Sequence, residues 1–233
     1  MSKVAIKGNA SGTGTFTVEA PNSNTDRTLT LPDEAGTILT TSSDVLTSAS
    51  VLSNSNMPAG SQVLITDNSG ASSQTHVDVT LPTSGYDFFI INLYGLYSDG
   101  SGVSIVRTIE GGSKIGSNDS YRYAGFAGRD VDTAPEMNKS SGATYGRLGY
   151  HELSNSSSDR VSIRLYVYNS TSSSLRTQIF SEYVGYNLTA SGQFQLVLTG
   201  ITRTAAATCS GISFQTTSGS QTYAGYQLFG VTA

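Results

Sequence analysis

Two histidines, His76 and His151, are the only imidazoles available for proton transfer. A serine-type hydrolytic site needs a nucleophile, a base and an orienting acid in contact. Serine is so frequent in this chain that nearness to one carries no information, and no G-x-S-x-G turn is present. His76 falls within an alternating, strand-like run and His151 ends another beside Glu152, so both read as structural. Metal binding needs clustered Cys, His or carboxylate ligands. Asp130-Val131-Asp132 comes nearest and lacks the remaining spacing of a calcium loop. Glu110, Asp119, Glu136, Glu152, Asp159 and Glu182 offer carboxylates for glycoside cleavage, but any chain of this size offers as many. Gly111-Gly112-Ser113-Lys114 and Gly125-Phe126-Ala127-Gly128 do not match a phosphate-binding loop. The single cysteine, Cys209, sits in a strand-like run and reads as a small buried residue. The expectation is a protein that is not an enzyme, with no catalytic residue, no metal and no cofactor.

The aromatic residues carry more. Tyrosine occurs 13 times and tryptophan is absent. Tyr121, Tyr123, Arg129, Tyr145 and Tyr150, with Arg122 and Arg147 nearby, fall around the longest connecting region. Tyr and Arg are the usual anchors of binding surfaces, and loops carry function on a strand scaffold. These five are the candidate ligand-binding residues, and aromatic faces with neutral polar neighbours suit a neutral glycan. Against this stands the tendency of Tyr to fill sheet faces because it favours strands, which is the stronger expectation.

The elements that must position these groups are strands. Charged residues are only 13 % of the chain, against about 25 % in ordinary domains. Polarity comes from Ser, Thr, Asn and Gly mixed with Val, Ile, Tyr and Phe, which favours strands and turns over helices. Short runs with turn residues between them recur from Ser61 onward: 62–65, 76–81, 87–96, 103–109, 121–127, 145–150, 160–168, 175–184, 193–198, 206–214 and 223–231. The clearest is Val161-Ser162-Ile163-Arg164-Leu165-Tyr166-Val167-Tyr168, with aliphatic residues on one face and Arg164, Tyr166 and Tyr168 on the other. About eight to ten strands over this length suit a jelly-roll-like antiparallel β-sandwich spanning 61–233. No fixed-period repeat points to a propeller or β-helix. Residues 42–60, rich in Ser, Thr and Asn, read as a linker or short helix. Residues 1–41 read as a small strand module with three short strands, too few to bury their own apolar side chains.

The net charge of -4 and the lack of a basic stripe argue against duplex nucleic acid as a partner. No apolar run approaches the 18 or so residues of a membrane span. The N-terminal run shows no apolar core of a secretory signal, so cytoplasmic synthesis is expected.

The N-terminal segment contains Gly12-Thr13-Gly14-Thr15-Phe16, Ala20-Pro21-Asn22, Arg27-Thr28-Leu29-Thr30-Leu31-Pro32-Asp33 and Gly36-Thr37-Ile38-Leu39-Thr40. In this order and spacing it resembles a segment of tail-fibre and related virion proteins of tailed bacteriophages. The resemblance covers about the first forty residues. It implies a virion structural role without chemistry, at the tail, a head fibre or a capsid decoration, as a homotrimer that contacts other virion proteins. A host surface glycan is a further partner it suggests. Phe16, Val18, Leu29, Leu31, Ile38 and Leu39 are then the assembly or attachment residues, with 1–41 toward the particle and the sandwich outward. The competing class is a free carbohydrate-binding lectin or a polysaccharide-cleaving enzyme on the same scaffold.

Overall fold

The computed structural model describes residues 61–130, 134–186 and 193–232, together with Ser11 and Thr13. The N-terminal module, its six apolar candidates and the 42–60 segment lie outside the described residues. Within them the chain is all-β and forms two antiparallel sheets, with no helix.

Fifteen strands follow in order. The first five are β1 (Gln62–Asn68), β2 (Ala71–Gln74), β3 (His76–Thr80), β4 (Phe88–Ser98) and β5 (Val103–Glu110). Next come β6 (Ser113–Lys114), β7 (Tyr121–Arg129), β8 (Glu136–Ala143), β9 (Gly146–Glu152) and β10 (Val161–Tyr168). The last are β11 (Gln178–Tyr186), β12 (Phe194–Arg203), β13 (Gly211–Thr216), β14 (Gln221–Tyr223) and β15 (Gly225–Val231). Ten form a large sheet in the order β1-β15-β4-β10-β11-β12-β7-β8, with β14 and β2 paired at its side. Five form a smaller sheet in the order β3-β13-β5-β6, with β9 also on β5. This is the expected sandwich, although the uneven division into ten and five does not establish the jelly-roll refinement.

Alternation decides which side chains enter the space between the sheets. In β10, Val161, Ile163, Leu165 and Val167 are buried while Ser162, Arg164 and Tyr168 are exposed. Phe89, Ile91 and Leu93 of β4 and Ile179, Val197 and Ile201 of β11 and β12 continue that inner face. The smaller sheet answers with Val77, Val79, Val106, Leu148, Ile212 and Phe214.

The run Phe88-Phe89-Ile90-Ile91 breaks alternation because β4 has apolar neighbours on both faces. Ile90 points outward and is 7 % exposed, because it lies in register between Phe229 of β15 and Tyr166 of β10. Phe88 stacks on Tyr168, with ring centroids 5.2 Å apart. Further along, Leu93 and Leu96 are both buried despite odd spacing. A register shift against β10 resets the phase. Gly95 sits beside it at φ +69°, where a Cβ would lie 2.6 Å from that of Ala224.

Several boundaries differ from those read in the sequence. The expected strand at 206–214 begins only at Gly211, because Cys209 and Ser210 donate backbone hydrogen bonds to Ser170 and Ile109 in crossing between the sheets. The strand expected at 193–198 runs on to Arg203: Gly200, which interrupts the pattern, pairs with Phe180 and Ala124 on its two sides. The short β2, β6 and β14 carry too few residues for a periodicity, and β8, Glu-Met-Asn-Lys-Ser-Ser-Gly-Ala, is a mostly polar strand on the open side of β7.

Candidate functional site

The five candidate binding residues were expected to gather in loops of the sandwich, and they do not; the strands expected at 121–127 and 145–150 are present instead. Tyr121, Tyr123 and Arg129 belong to β7 and Tyr150 to β9, and only Tyr145 occupies a turn. Tyr121 is a core residue, 0 % exposed. Its hydroxyl donates to the Ile115 carbonyl at 3.0 Å and accepts from the Thr108 amide at 2.8 Å. Its side chain has no surface to offer a ligand. The strand preference of Tyr, with an alternation that turns Tyr121 and Tyr123 inward, explains the placement.

The fold does link the other four. Arg147 on β9 donates from Nε to the Gly149 carbonyl at 2.9 Å and from Nη2 to the Tyr150 carbonyl. Its guanidinium lies 5.5 Å from the Tyr150 ring centre. Burial raises the Tyr123 phenol above its ordinary pKa, and Arg147, by charge and hydrogen bond, only partly offsets this, while the neighbouring Tyr145 adds to it. The Tyr150 ring meets the His151 ring edge-on at 4.7 Å. His151 Nε2 lies 3.1 Å from Glu136 Oε2. Glu136 Oε1 is 3.6 Å from Arg129, which also donates to Gln193 Oε1 at 3.0 Å. The result is a ribbon of linked side chains along β7, β8 and β9.

A second polar cluster ties the sheets together. Arg203 at the end of β12 donates to both Glu110 oxygens, at 2.7 and 3.1 Å, and to the Ser120 carbonyl at 2.5 Å. Its guanidinium rests 5.1 Å from the centre of the Tyr121 ring. Burial alone would raise the Glu110 carboxyl pKa. Hydrogen bonds from Arg203 and Thr108, with the Arg203 charge, outweigh it and hold the carboxyl below its usual value. This is a latch between β5 and β12, one from each sheet.

The remaining candidates are scattered. His76 lies on β3 beside Asp78, which also pairs with Lys114 at 3.0 Å. Asp159 accepts from Ser154 at 3.2 Å, and Glu182 lies on β11 opposite Arg164. Cys209 is buried, and burial pushes its thiol up to about 11. Among the described residues no group of three or more His, Cys, Asp or Glu is placed to hold a metal ion. Asp132 lies outside them.

The largest unshared feature is the outer face of the ten-stranded sheet, and it was not read from the sequence. Rows of side chains cross it in register. Leu198 of β12 lies opposite Phe126 of β7, and Phe126 opposite Met137 of β8. One row away, Val184 of β11 faces Leu196 of β12, and beyond it Tyr186 faces Phe194. On the other side Tyr166 pairs with Phe180. Phe126 is 58 % and Met137 64 % exposed. Single exposed apolar residues are ordinary, but a contiguous in-register patch is not. Two shallow grooves open on this face. One, of about 470 Å³, lies between Tyr168, Phe180 and Arg122. The other, of about 510 Å³, lies between Tyr94, Arg164, Glu182 and Leu196.

Comparison of the chain with protein-family models, curated proteins and solved structures returns no match.

Proposed function

We propose that this chain is a structural protein of a tailed-bacteriophage particle, of tail-fibre, head-fibre or decoration type. In this reading it assembles as a homotrimer in the virion, with residues 1–41 attaching to other virion proteins and the sandwich facing outward. The observation that carries the reading is the broad apolar outer face of the large sheet, a surface suited to assembly rather than to chemistry. The Arg203–Glu110 and Arg129–Glu136–His151 contacts join elements of the sandwich to one another, as in a scaffold. The N-terminal motif, with its resemblance to virion proteins, supports a place on the particle. Immunogold labelling of purified particles tests it: gold on the particles supports the reading, and label confined to the soluble fraction of infected cells refutes it.

A carbohydrate-binding role is favoured by a different observation. The groove bounded by Tyr168 and Phe180 combines aromatic side chains with Gln178 and Arg122, a mixture that suits a sugar. Titration with neutral oligosaccharides by calorimetry separates the two. Saturable heat abolished by Tyr168→Ala favours the lectin reading, and no heat removes it.

A further inference from the structure

We propose that a slot across β11, β12, β7 and β8 binds a short acidic oligosaccharide, with its carboxylate on Arg122 and Lys139 and its rings against Phe180 and Tyr168. The inference rests on the carbohydrate-binding reading of the Tyr168–Phe180 groove and adds to it the charge of the ligand.

The slot follows from the register of the four strands. Phe180 of β11, Gly200 of β12, Ala124 of β7 and Lys139 of β8 form one outward row. Its two middle members carry a hydrogen and a methyl group, so the row is hollow between an aromatic end and a cationic end. Three strand spacings of about 4.8 Å make it about 14 Å long, room for a short oligosaccharide. In the adjoining row Thr202 faces Arg122, which sets a hydroxyl and a guanidinium along one side. Arg122 borders the groove of about 470 Å³ toward Tyr168 and Phe180, and also a hollow of about 560 Å³ shared with Lys139, Ser140 and Ser141. It thus joins the two.

Gly200 points to an occupant. Glycine inside a strand weakens it and marks a bend or the close approach of a backbone or a ligand. Gly125 on the next strand is explained by packing, since a Cβ would lie 2.5 Å from the Thr199 hydroxyl. Gly200 has no such reason. Its φ is not positive, and a Cβ there would meet nothing nearer than the Ala124 carbonyl oxygen at 3.9 Å. The fold has room for a side chain at this position, and that side chain would fill the slot.

Charge names the class of occupant. The chain has a net charge of -4. Among the described residues neither Arg122 nor Lys139 pairs with a carboxylate, whereas Lys114, Arg129 and Arg203 do. Two unpaired cations at one end suit a carboxylate, which a guanidinium holds through paired hydrogen bonds. At the other end Phe180 and Tyr168, each 38 % exposed, offer ring faces to the apolar faces of a sugar. An extended peptide fits poorly. β11, β12 and β7 are paired on both sides, and peptides join sheets at open edges. A nucleic-acid strand needs cations along its whole path, and here they stand at one end.

The experiment is calorimetric titration of the full chain with tetrasaccharides of polygalacturonate, hyaluronate and polysialate, beside maltotetraose, chitotetraose and tetrathymidylate. The expected result is that at least one acidic chain binds at least about tenfold more tightly than either neutral one, and weakens as salt rises and screens the cations. Binding should fall at least about tenfold both in the double variant Arg122→Glu, Lys139→Glu and in Gly200→Val. The Gly200→Val chain should melt no lower than wild type. If it fails to fold, the double variant, at two exposed positions, decides. Acidic chains that bind no more tightly than neutral ones overturn the inference. So does a folded double variant that binds as wild type, and so does tetrathymidylate binding more tightly than every saccharide. Equal binding of neutral and acidic chains, lost in Tyr168→Ala, removes this inference and leaves the carbohydrate reading standing. Absence of binding by every saccharide removes both.

Discussion

Replacing Glu110 with Ala removes one half of the latch between the sheets. The side chains of Arg203 and Glu110 are 6 % and 12 % exposed, so the variant leaves a guanidinium inside the protein with the Ser120 carbonyl as its remaining acceptor from the pair's surroundings. Breaking a buried pair in this way costs about 3–5 kcal/mol, a large share of the roughly 5–15 kcal/mol that stabilises a domain. The double variant Glu110→Leu, Arg203→Met removes both charges and should recover most of the loss, since an apolar pair of similar volume is often neutral in such a place. Urea unfolding followed by circular dichroism at fixed protein concentration measures both, tryptophan being absent. The pH dependence has a definite sign. The Glu110 carboxyl is held below its ordinary value in the folded chain, so its contribution is fully present above about pH 4.3, the unfolded carboxylate value. It is lost as pH falls through the folded value, and the gap between wild type and Glu110→Ala should narrow there. A loss under about 1 kcal/mol at pH 7, or a gap that widens in acid, would refute the latch.

Other outcomes follow from the same packing. Leu165→Ala opens a cavity at a fully buried site between Ile91 and Ser181 and should cost about 2–5 kcal/mol in the same urea assay. Tyr121→Phe leaves the buried Thr108 amide and Ile115 carbonyl without their partner, a loss of about 1–3 kcal/mol. The Cys209 thiol, buried and pushed up to about 11, should ignore thiol reagents at pH 8 and react only at the rate of unfolding. Prompt labelling of the folded chain would contradict its placement.

The fold class was legible because alternation is strong wherever one face is buried and the other wet, as in β10. It failed where that contrast is missing. β8 carries only Met137 and Ala143 among polar residues and glycine, so no alternation marked it, whereas β4, apolar on both faces around Ile90, was still legible at 87–96 as a continuous apolar run. The run Leu196-Val197-Leu198 held the signal for the outer face: Val197 is buried while its two neighbours are 47 % and 39 % exposed. Three consecutive aliphatic residues in a strand with one solvent-free face place apolar side chains on both faces, but the patch they belong to shows only once the strand's neighbours are known. The candidate binding residues were misplaced for a related reason. Residues 121–127 read as a strand, but the clustering of Tyr and Arg drew them to a loop surface; Gly125 lies inside β7, where a Cβ would meet the Leu198 carbonyl at 2.6 Å and the Thr199 hydroxyl at 2.5 Å. Glycine there permits close strand approach.

The most direct measurement is an electron cryo-microscopy reconstruction of the purified particle at a resolution that separates strands. The account predicts density for this sandwich in groups of three on the particle, with residues 1–41 toward the particle and the sandwich outward. Particles without this density, or with the sandwich turned toward the particle, would contradict it.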